Sequence, residues 1–168
     1  MNLPEARVMA EKIAAQLAPL CERIEIAGSI RRERPLCNDI DMVILPKGGK
    51  PDAIKARCEQ QCTVVTDGPQ NYIVRLKNGV QLDIFFTRPA YKDLLQTIPG
   101  NFGSLLICRT GSREHNIFLV EHAKRIGLVW KPYQGVFDGE GYALAAEDEA
   151  GIFKALQLDF IPPEKRER

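Results

Sequence analysis

Two aspartates, Asp39 and Asp41, stand two residues apart in a segment that alternates acidic and apolar residues. This alternation predicts a β-strand over 39–45, and residues two apart on a strand point to the same face. Two carboxylates held a few ångströms apart repel each other, so a partner is expected beside them. Mg²⁺ meets this need, because it binds carboxylate oxygens together with the phosphate oxygens of a substrate. A solvated strand face is the alternative interpretation.

A third aspartate, Asp83, lies within an apolar run. An aspartate in such a run is unfavourable unless it meets a partner or a cation. Asn78–Gly79 is a strong hairpin signal, and it predicts strands over 72–77 and 80–87. If the second strand lies beside the 39–45 strand, three carboxylates converge. That is the ligand set for two cations in an in-line phosphoryl displacement.

A small-residue turn, Gly28–Ser29, follows a predicted strand over 23–27 and precedes three arginines. Small residues at this place allow backbone N–H groups and a hydroxyl to approach a phosphate. Arg31, Arg32 and Arg34 can pair with triphosphate oxygens. The alternative interpretation is an ordinary turn followed by a solvated basic face.

Together these residues resemble the signature of polymerase beta-type nucleotidyltransferases. The signature consists here of Gly28-Ser29-Ile30-Arg31-Arg32, Asp39-Ile40-Asp41 and Leu82-Asp83-Ile84. Two later segments, Thr110-Gly111-Ser112 with His115-Asn116 and the tail from Glu147 to Glu164, are similar to family X DNA polymerases. The first signature is typical of the superfamily, and the later segments narrow the resemblance to family X.

The resemblance implies an α+β fold. A nucleotidyltransferase palm with helices and a mixed, mainly antiparallel sheet is followed by a small α/β thumb. The palm is expected at 1–95 and the thumb at 96–168; the sequence pattern itself changes near residue 88. We expect a minimal palm-plus-thumb form, without the lyase and fingers domains that other family members carry.

The resemblance also implies a metal site. Asp39, Asp41 and Asp83 would be the catalytic carboxylates, holding two Mg²⁺ ions, with Mn²⁺ as an alternative. Asp39 and Asp41 would bind both ions, and Asp83 would bind the catalytic ion beside the 3′ hydroxyl of the primer.

The implied nucleotide-binding residues come from both predicted domains. Ser29 and Arg32 would contact the triphosphate, and Asn116 would reach the minor-groove edge of the base. The full set is Gly28, Ser29, Arg32, Cys108, Arg109, Gly111, Ser112 and Asn116.

Four positions depart from the family pattern. Cys108-Arg109 replaces a Tyr-Phe pair, and Gln81 stands where an arginine often precedes the third aspartate. Val120 stands where an arginine often reaches toward the template strand. These departures bear on fidelity, sugar choice and the strength of DNA binding rather than on the metal site.

Composition narrows the classes of protein. The chain has 168 residues, of which 45% are hydrophobic and 27% charged, as in ordinary soluble globular proteins. The net charge of +1 does not support binding of nucleic acid by bulk charge alone. The sequence predicts no membrane span and no signal peptide. Five cysteines without Cys-x-x-Cys pairs predict free thiols in a reducing cytoplasm rather than a zinc site.

The remaining elements follow from periodicity and turn residues. A loop is predicted over 88–98. The predicted helices are 4–20, 51–61, 100–108, 112–126 and 147–157, and the further strands are 63–66, 128–130, 135–137 and 141–144.

The sequence therefore predicts a cytoplasmic, monomeric DNA polymerase that adds deoxynucleotides to a primer 3′ end, in DNA repair. Its expected partners are a DNA primer-template and a nucleoside triphosphate. One alternative is a template-independent or non-DNA nucleotidyltransferase, against which the thumb-like segment argues. Another is an inactive nucleic-acid-binding module, which would have no reason to keep three repelling carboxylates together.

Overall fold

The chain divides into two compact units, Met1–Thr87 and Arg88–Arg168, which we call unit 1 and unit 2. The structure, a computed structural model, describes residues 1–92, 94 and 97–167. The predicted domain boundary between residues 95 and 96 lies outside the described residues. Each unit has a hydrophobic core of its own.

Unit 1 begins with a helix that Asn2 caps, its side chain accepting a hydrogen bond from the Glu5 N–H at 3.0 Å. Helices and strands then mix along the chain. The helices are α1 Leu3–Leu17, α2 Gly28–Arg31 and α3 Asp52–Glu59, and the strands are β1 Cys21–Ile26, β2 Asp39–Pro46, β3 Cys62–Asp67, β4 Asn71–Leu76 and β5 Gln81–Phe86.

The five strands form one sheet in the order β1-β2-β5-β4-β3. Only β2 and β5 run parallel; the other neighbours are antiparallel. The hairpin between β4 and β5 turns at Asn78–Gly79, as predicted, where the Asn78 side chain accepts a hydrogen bond from the Val80 N–H. The expectation of a mixed, mainly antiparallel sheet is confirmed.

One face of this sheet is covered by helices. Ile40 and Met42 of β2, together with Leu82 and Ile84 of β5, pack into a core with buried residues of α1 and α3. Because side chains alternate along a strand, the residues between them point to the opposite face. That opposite face carries the aspartates.

In its described residues, unit 2 contains a short two-stranded ladder, three α-helices and a three-stranded antiparallel sheet. The prediction of an irregular loop over 88–98 is wrong in one respect: two short strands within this segment pair with each other. The strands are β6 Tyr91–Lys92, β7 Thr97–Ile98, β8 Val129–Lys131, β9 Gly135–Phe137 and β10 Ala143–Ala145, and the helices are α4 Phe102–Thr110, α5 Arg113–Arg125 and α6 Glu149–Ala155.

The core of unit 2 forms between its three helices and its three-stranded sheet. Trp130 is buried, and its indole N–H donates to the Ser104 hydroxyl at 2.9 Å. His115 is fully buried between the rings of Phe118 and Phe153, with ring centroids 6.2 and 6.1 Å away. Both side chains are therefore buried in the interior of unit 2.

None of the helices in the described residues combines the length and the hydropathy needed to cross a lipid bilayer.

Candidate active site

The parallel pairing of β2 with β5 brings the three aspartates to one face of the sheet. Asp41 is the register partner of Asp83, and Asp39 is the register partner of Gln81. All four side chains are half-buried, whereas the residues between them are buried on the helix-covered face. The predicted juxtaposition of the hairpin strand and the 39–45 strand is thus present in the backbone.

Gln81 orients the third aspartate. Its side-chain amide donates a hydrogen bond to Oδ1 of Asp83 at 2.8 Å. An arginine at this place would add a positive charge beside the carboxylate, whereas glutamine holds it with a neutral donor. Gln81 therefore supplies an orienting hydrogen bond and leaves this face more negative than an arginine at the same position would.

The carboxylates fit a divalent cation by their chemistry, because hard oxygen ligands on neighbouring strands are what Mg²⁺ prefers. Their side chains are not gathered into a closed cage. Among residues 1–92, 94 and 97–167, no three His, Cys, Asp or Glu side chains converge closely enough to hold a metal ion. The metal site stays a prediction that rests on register and donor type.

Gly28 is packed directly against Asp41. The Ala27 N–H donates to the Asp41 carbonyl at 2.8 Å, and Gly28 follows with a φ of +59°. A Cβ atom on Gly28 would lie 1.8 Å from Oδ2 of Asp41. Only glycine fits here, because any side chain would displace the carboxylate and the left-handed backbone disfavours other residues.

The short helix α2 presents the predicted triphosphate contacts. Ser29 lies in its first turn, and Arg32 is its C-cap with a half-buried side chain. The Ser29 hydroxyl oxygen is buried and finds no hydrogen-bond partner among the described residues. A buried hydroxyl without a partner is unfavourable, so this atom indicates a place for a ligand.

In unit 2, the Gly111–Ser112 turn joins α4 to α5 through a cis peptide bond. The Ser112 side chain caps α5 by accepting a hydrogen bond from the His115 N–H at 3.2 Å. It also donates to the Arg166 carbonyl at 2.8 Å. The hydroxyl is therefore used within the unit, as are the N–H groups of Gly111 and Ser112, which donate to the Ile107 and Arg166 carbonyls at 3.0 and 3.2 Å.

Asn116 lies one helical turn after Ser112. Its side-chain amide donates to the Cys108 carbonyl at 2.8 Å, which fixes the orientation of the side chain. Its Oδ1 atom is buried and, in the part of the chain that the structure describes, has no hydrogen-bond partner. Asn116 and Ser29 thus share one property: each is a predicted nucleotide contact with an unused, buried oxygen.

Cys108 and Arg109 lie in the last turns of α4. Burial raises the pKa of the Cys108 thiol above its usual range, and the positive charge of Arg109 opposes this shift. The guanidinium of Arg109 lies over the ring of Tyr133, 5.1 Å from its centroid. The structure therefore has a buried thiol at position 108 and an arginine stacked on an aromatic ring at position 109.

Sequence reasoning missed Arg166, which is fully buried near the end of the chain. It follows a run of prolines and charged residues that gives no sign of burial. Its ion-pair partner Glu149 lies on α6, and its carbonyl accepts hydrogen bonds from Ser112, so these two partners are far from it in the sequence.

The solved structures that are similar to this chain over its full length include two complexes of one polymerase. The ternary P/T complex of Leishmania infantum polymerase beta has a TM-score of 0.72 at 15% identity, covering 100% of this chain and 77% of that one. The ternary gap complex of the same polymerase has a TM-score of 0.73 at 14% identity, covering 100% and 71%. Residues 105–167 match the DNA polymerase beta thumb. The fold is that of a family X polymerase.

No curated protein sequence matches the chain. The family X resemblance and the fold class predicted from the sequence are confirmed. In this polymerase beta-like fold, unit 1 carries the carboxylate face, and the thumb match lies wholly within unit 2. The roles of individual site residues stay predictions.

Proposed function

We propose that the protein is a DNA polymerase that adds deoxynucleotides to a primer 3′ end by metal-dependent nucleotidyl transfer. One observation carries the proposal: β2 and β5 pair in a register that places Asp39, Asp41 and Asp83 on one face of the sheet. The polymerase beta-like fold and the thumb match support DNA as the substrate.

The proposed roles divide among residues of unit 1. Asp39 and Asp41 bind the metal ions, and Asp83 lies beside the primer 3′ hydroxyl with its orientation fixed by Gln81. When bound, Mg²⁺ would neutralise phosphate charge and lower the pKa of the attacking hydroxyl. Gly28 leaves room for the Asp41 carboxylate.

The triphosphate contacts follow from α2. The buried hydroxyl of Ser29 donates to a phosphate oxygen and so gains the partner that it lacks in the free protein. Arg32 adds a charge-assisted hydrogen bond. By the same proposal, Cys108, Arg109, Gly111, Ser112 and Asn116 of unit 2 contact the sugar and base of the nucleotide.

The test is extension of a labelled primer. Wild-type protein, Mg²⁺ and one deoxynucleotide are incubated with a primer-template and, separately, with the unpaired primer. We expect addition only on the primer-template, and only of the complementary nucleotide. Addition to the unpaired primer would instead identify a template-independent transferase, and no addition on either would indicate a binding module.

A pair of matched variants excludes a contaminating polymerase. Asp41→Asn removes one proposed metal ligand, whereas Asp159→Asn makes the same change at an exposed position of unit 2. We expect the first to abolish addition and the second to leave it unchanged. Equal activity in both variants would remove Asp41 from the mechanism.

A further inference from the structure

The Gly111–Ser112 turn is held by one backbone carbonyl from the end of the chain. The Arg166 carbonyl accepts hydrogen bonds from the Ser112 N–H at 3.2 Å and from the Ser112 hydroxyl at 2.8 Å. Ser112 in turn caps α5, the helix that carries Asn116. The position of this carbonyl therefore bears on the start of α5 and on the turn before it.

The Arg166 side chain fixes where that carbonyl lies. Its Nε donates to the Ile161 carbonyl at 2.9 Å, and one terminal nitrogen donates to Glu149 at 2.8 Å. The guanidinium also lies over the rings of Phe153 and Phe160, 5.3 and 5.7 Å from their centroids. A planar group held on its edge and on its face has little freedom to move.

The ion pair between Arg166 and Glu149 is buried. The Arg166 side chain has no exposed surface, and that of Glu149 is only 10% exposed. A buried ion pair contributes little net stability compared with apolar residues of similar size, but it fixes geometry. Lys165, the preceding residue, is exposed and makes no ion pair in the described part of the chain. The described tail is therefore anchored through Arg166 rather than through the neighbouring Lys165.

We propose that Arg166 is a positioning residue for the nucleotide. Its anchored side chain holds the carbonyl that shapes the Gly111–Ser112 turn, and through this turn it sets the affinity for the incoming nucleotide. The inference rests on the proposed function, because it assumes that this turn contacts the nucleotide. Arg166 itself touches neither the nucleotide nor the reacting atoms in this proposal.

The test separates positioning from general stabilisation by a double variant. Arg166→Met alone leaves Glu149 buried without its partner and destabilises unit 2. Arg166→Met with Glu149→Met replaces the pair by apolar side chains, which often preserves stability. It removes both directional hydrogen bonds of the guanidinium. Lys165→Met is the matched control, since it removes a positive charge one residue away.

We expect the double variant to keep a thermal midpoint close to that of wild type. Its KM for the nucleotide should rise about tenfold while kcat stays within about twofold. Amide hydrogen exchange at Ser112 should become at least about tenfold faster, because its acceptor is no longer held in place. Lys165→Met should match wild type in all three measurements.

The outcomes are distinct. Unchanged KM and unchanged exchange at Ser112 in a stable double variant would overturn the inference. Faster exchange with unchanged KM would also overturn it, leaving Arg166 as a purely structural residue. If the wild type forms no product, nucleotide affinity measured by titration replaces KM, so that failure of the proposed reaction does not hide the result. A wild type that binds no nucleotide would overturn both proposals.

Discussion

Unit 1 holds its aspartates by backbone register, whereas unit 2 holds its Gly111–Ser112 turn by the carbonyl of Arg166, whose own side chain is anchored by a buried ion pair. In unit 1, the pairing of β2 with β5 places Asp41 beside Asp83 through a ladder of backbone hydrogen bonds. In unit 2, one buried arginine fixes one carbonyl. The aspartates thus depend on many backbone hydrogen bonds, whereas the turn depends on the few interactions of one residue.

This difference predicts how each unit responds to substitution. A ladder of backbone bonds does not depend on the aspartate side chains, so replacing one of them changes chemistry and leaves the sheet intact. A concentrated network depends on the side chain itself, so replacing it moves the backbone that it holds. Four substitutions or measurements test how far this contrast extends.

The largest effect is expected at Asp83. In Asp83→Asn the register with Asp41 is kept, so folding and nucleotide binding should stay close to wild type. Turnover should fall by at least about a thousandfold, or roughly 4 kcal/mol, because a charge that stabilises the transition state is lost. Single-turnover extension and nucleotide titration measure the two properties separately. Turnover near that of wild type would show that Asp83 takes no part.

A second, smaller effect is expected at Gly28. Alanine at Gly28 and alanine at Gly48 adopt nearly the same left-handed backbone, with φ of +59° and +63°. Each should lose about 1 kcal/mol of stability for that reason. Only the methyl group introduced at position 28 would meet Asp41, because nothing lies within 4 Å of a Cβ atom at position 48.

Gly28→Ala should therefore lower turnover at least tenfold more than Gly48→Ala, a difference of about 1.4 kcal/mol. Thermal unfolding and primer extension on the two variants give the comparison. Equal turnover in the two alanine variants would mean that the Asp41 carboxylate does not need its present position.

The third prediction concerns sugar choice in unit 2. In resembling polymerases, an aromatic pair lines the sugar, and Cys108 and Arg109 stand in its place here. The smaller thiol should discriminate weakly against ribonucleotides, by less than about a hundredfold in kcat/KM. Cys108→Tyr should raise this ratio about tenfold. Wild-type rejection of ribonucleotides by several thousandfold would locate the selective residue elsewhere.

The smallest effect concerns a property that the two units share, their nearly balanced charge. With a net charge of +1, the chain can neutralise few phosphates. The logarithm of the DNA affinity should fall linearly with the logarithm of the salt concentration. Each neutralised phosphate contributes about 0.9 to the magnitude of the slope, so the slope should correspond to only a few phosphate contacts. Titrations of duplex DNA at several salt concentrations measure this slope. A slope near −10 would reveal a basic surface that the charge balance conceals.

The sequence predicted those parts of the fold whose signals are local. Alternation around Asp39 and the Asn78–Gly79 turn marked two strands, and the apolar run around Asp83 indicated an unusual carboxylate. The sequence did not predict that β2 and β5 are neighbours; their pairing was only assumed in the argument for three converging carboxylates. Strand order depends on tertiary packing, which local sequence patterns do not specify. The close approach of Gly28 to Asp41 could not be predicted for the same reason, because it depends on how the start of α2 packs against β2.

In unit 2, the prediction was weaker for side chains than for elements. Helices α4 and α5 were expected close to where they lie, but the use of the Ser112 hydroxyl as a cap and as a donor to Arg166 was not. These bonds join residues far apart in the chain. A local sequence pattern does not show which distant carbonyl accepts the hydrogen bond of a serine hydroxyl.

The parallel pairing of β2 with β5 also has a consequence for the order of folding. β3 and β4 lie between these strands in the chain, so a long loop must close before they can pair, and such non-local pairings form slowly. The β4–β5 hairpin is local and forms quickly. During synthesis, the face that carries Asp39, Asp41 and Asp83 cannot exist until β5 has left the ribosome. A nascent chain therefore carries no complete carboxylate face until unit 1 is nearly finished.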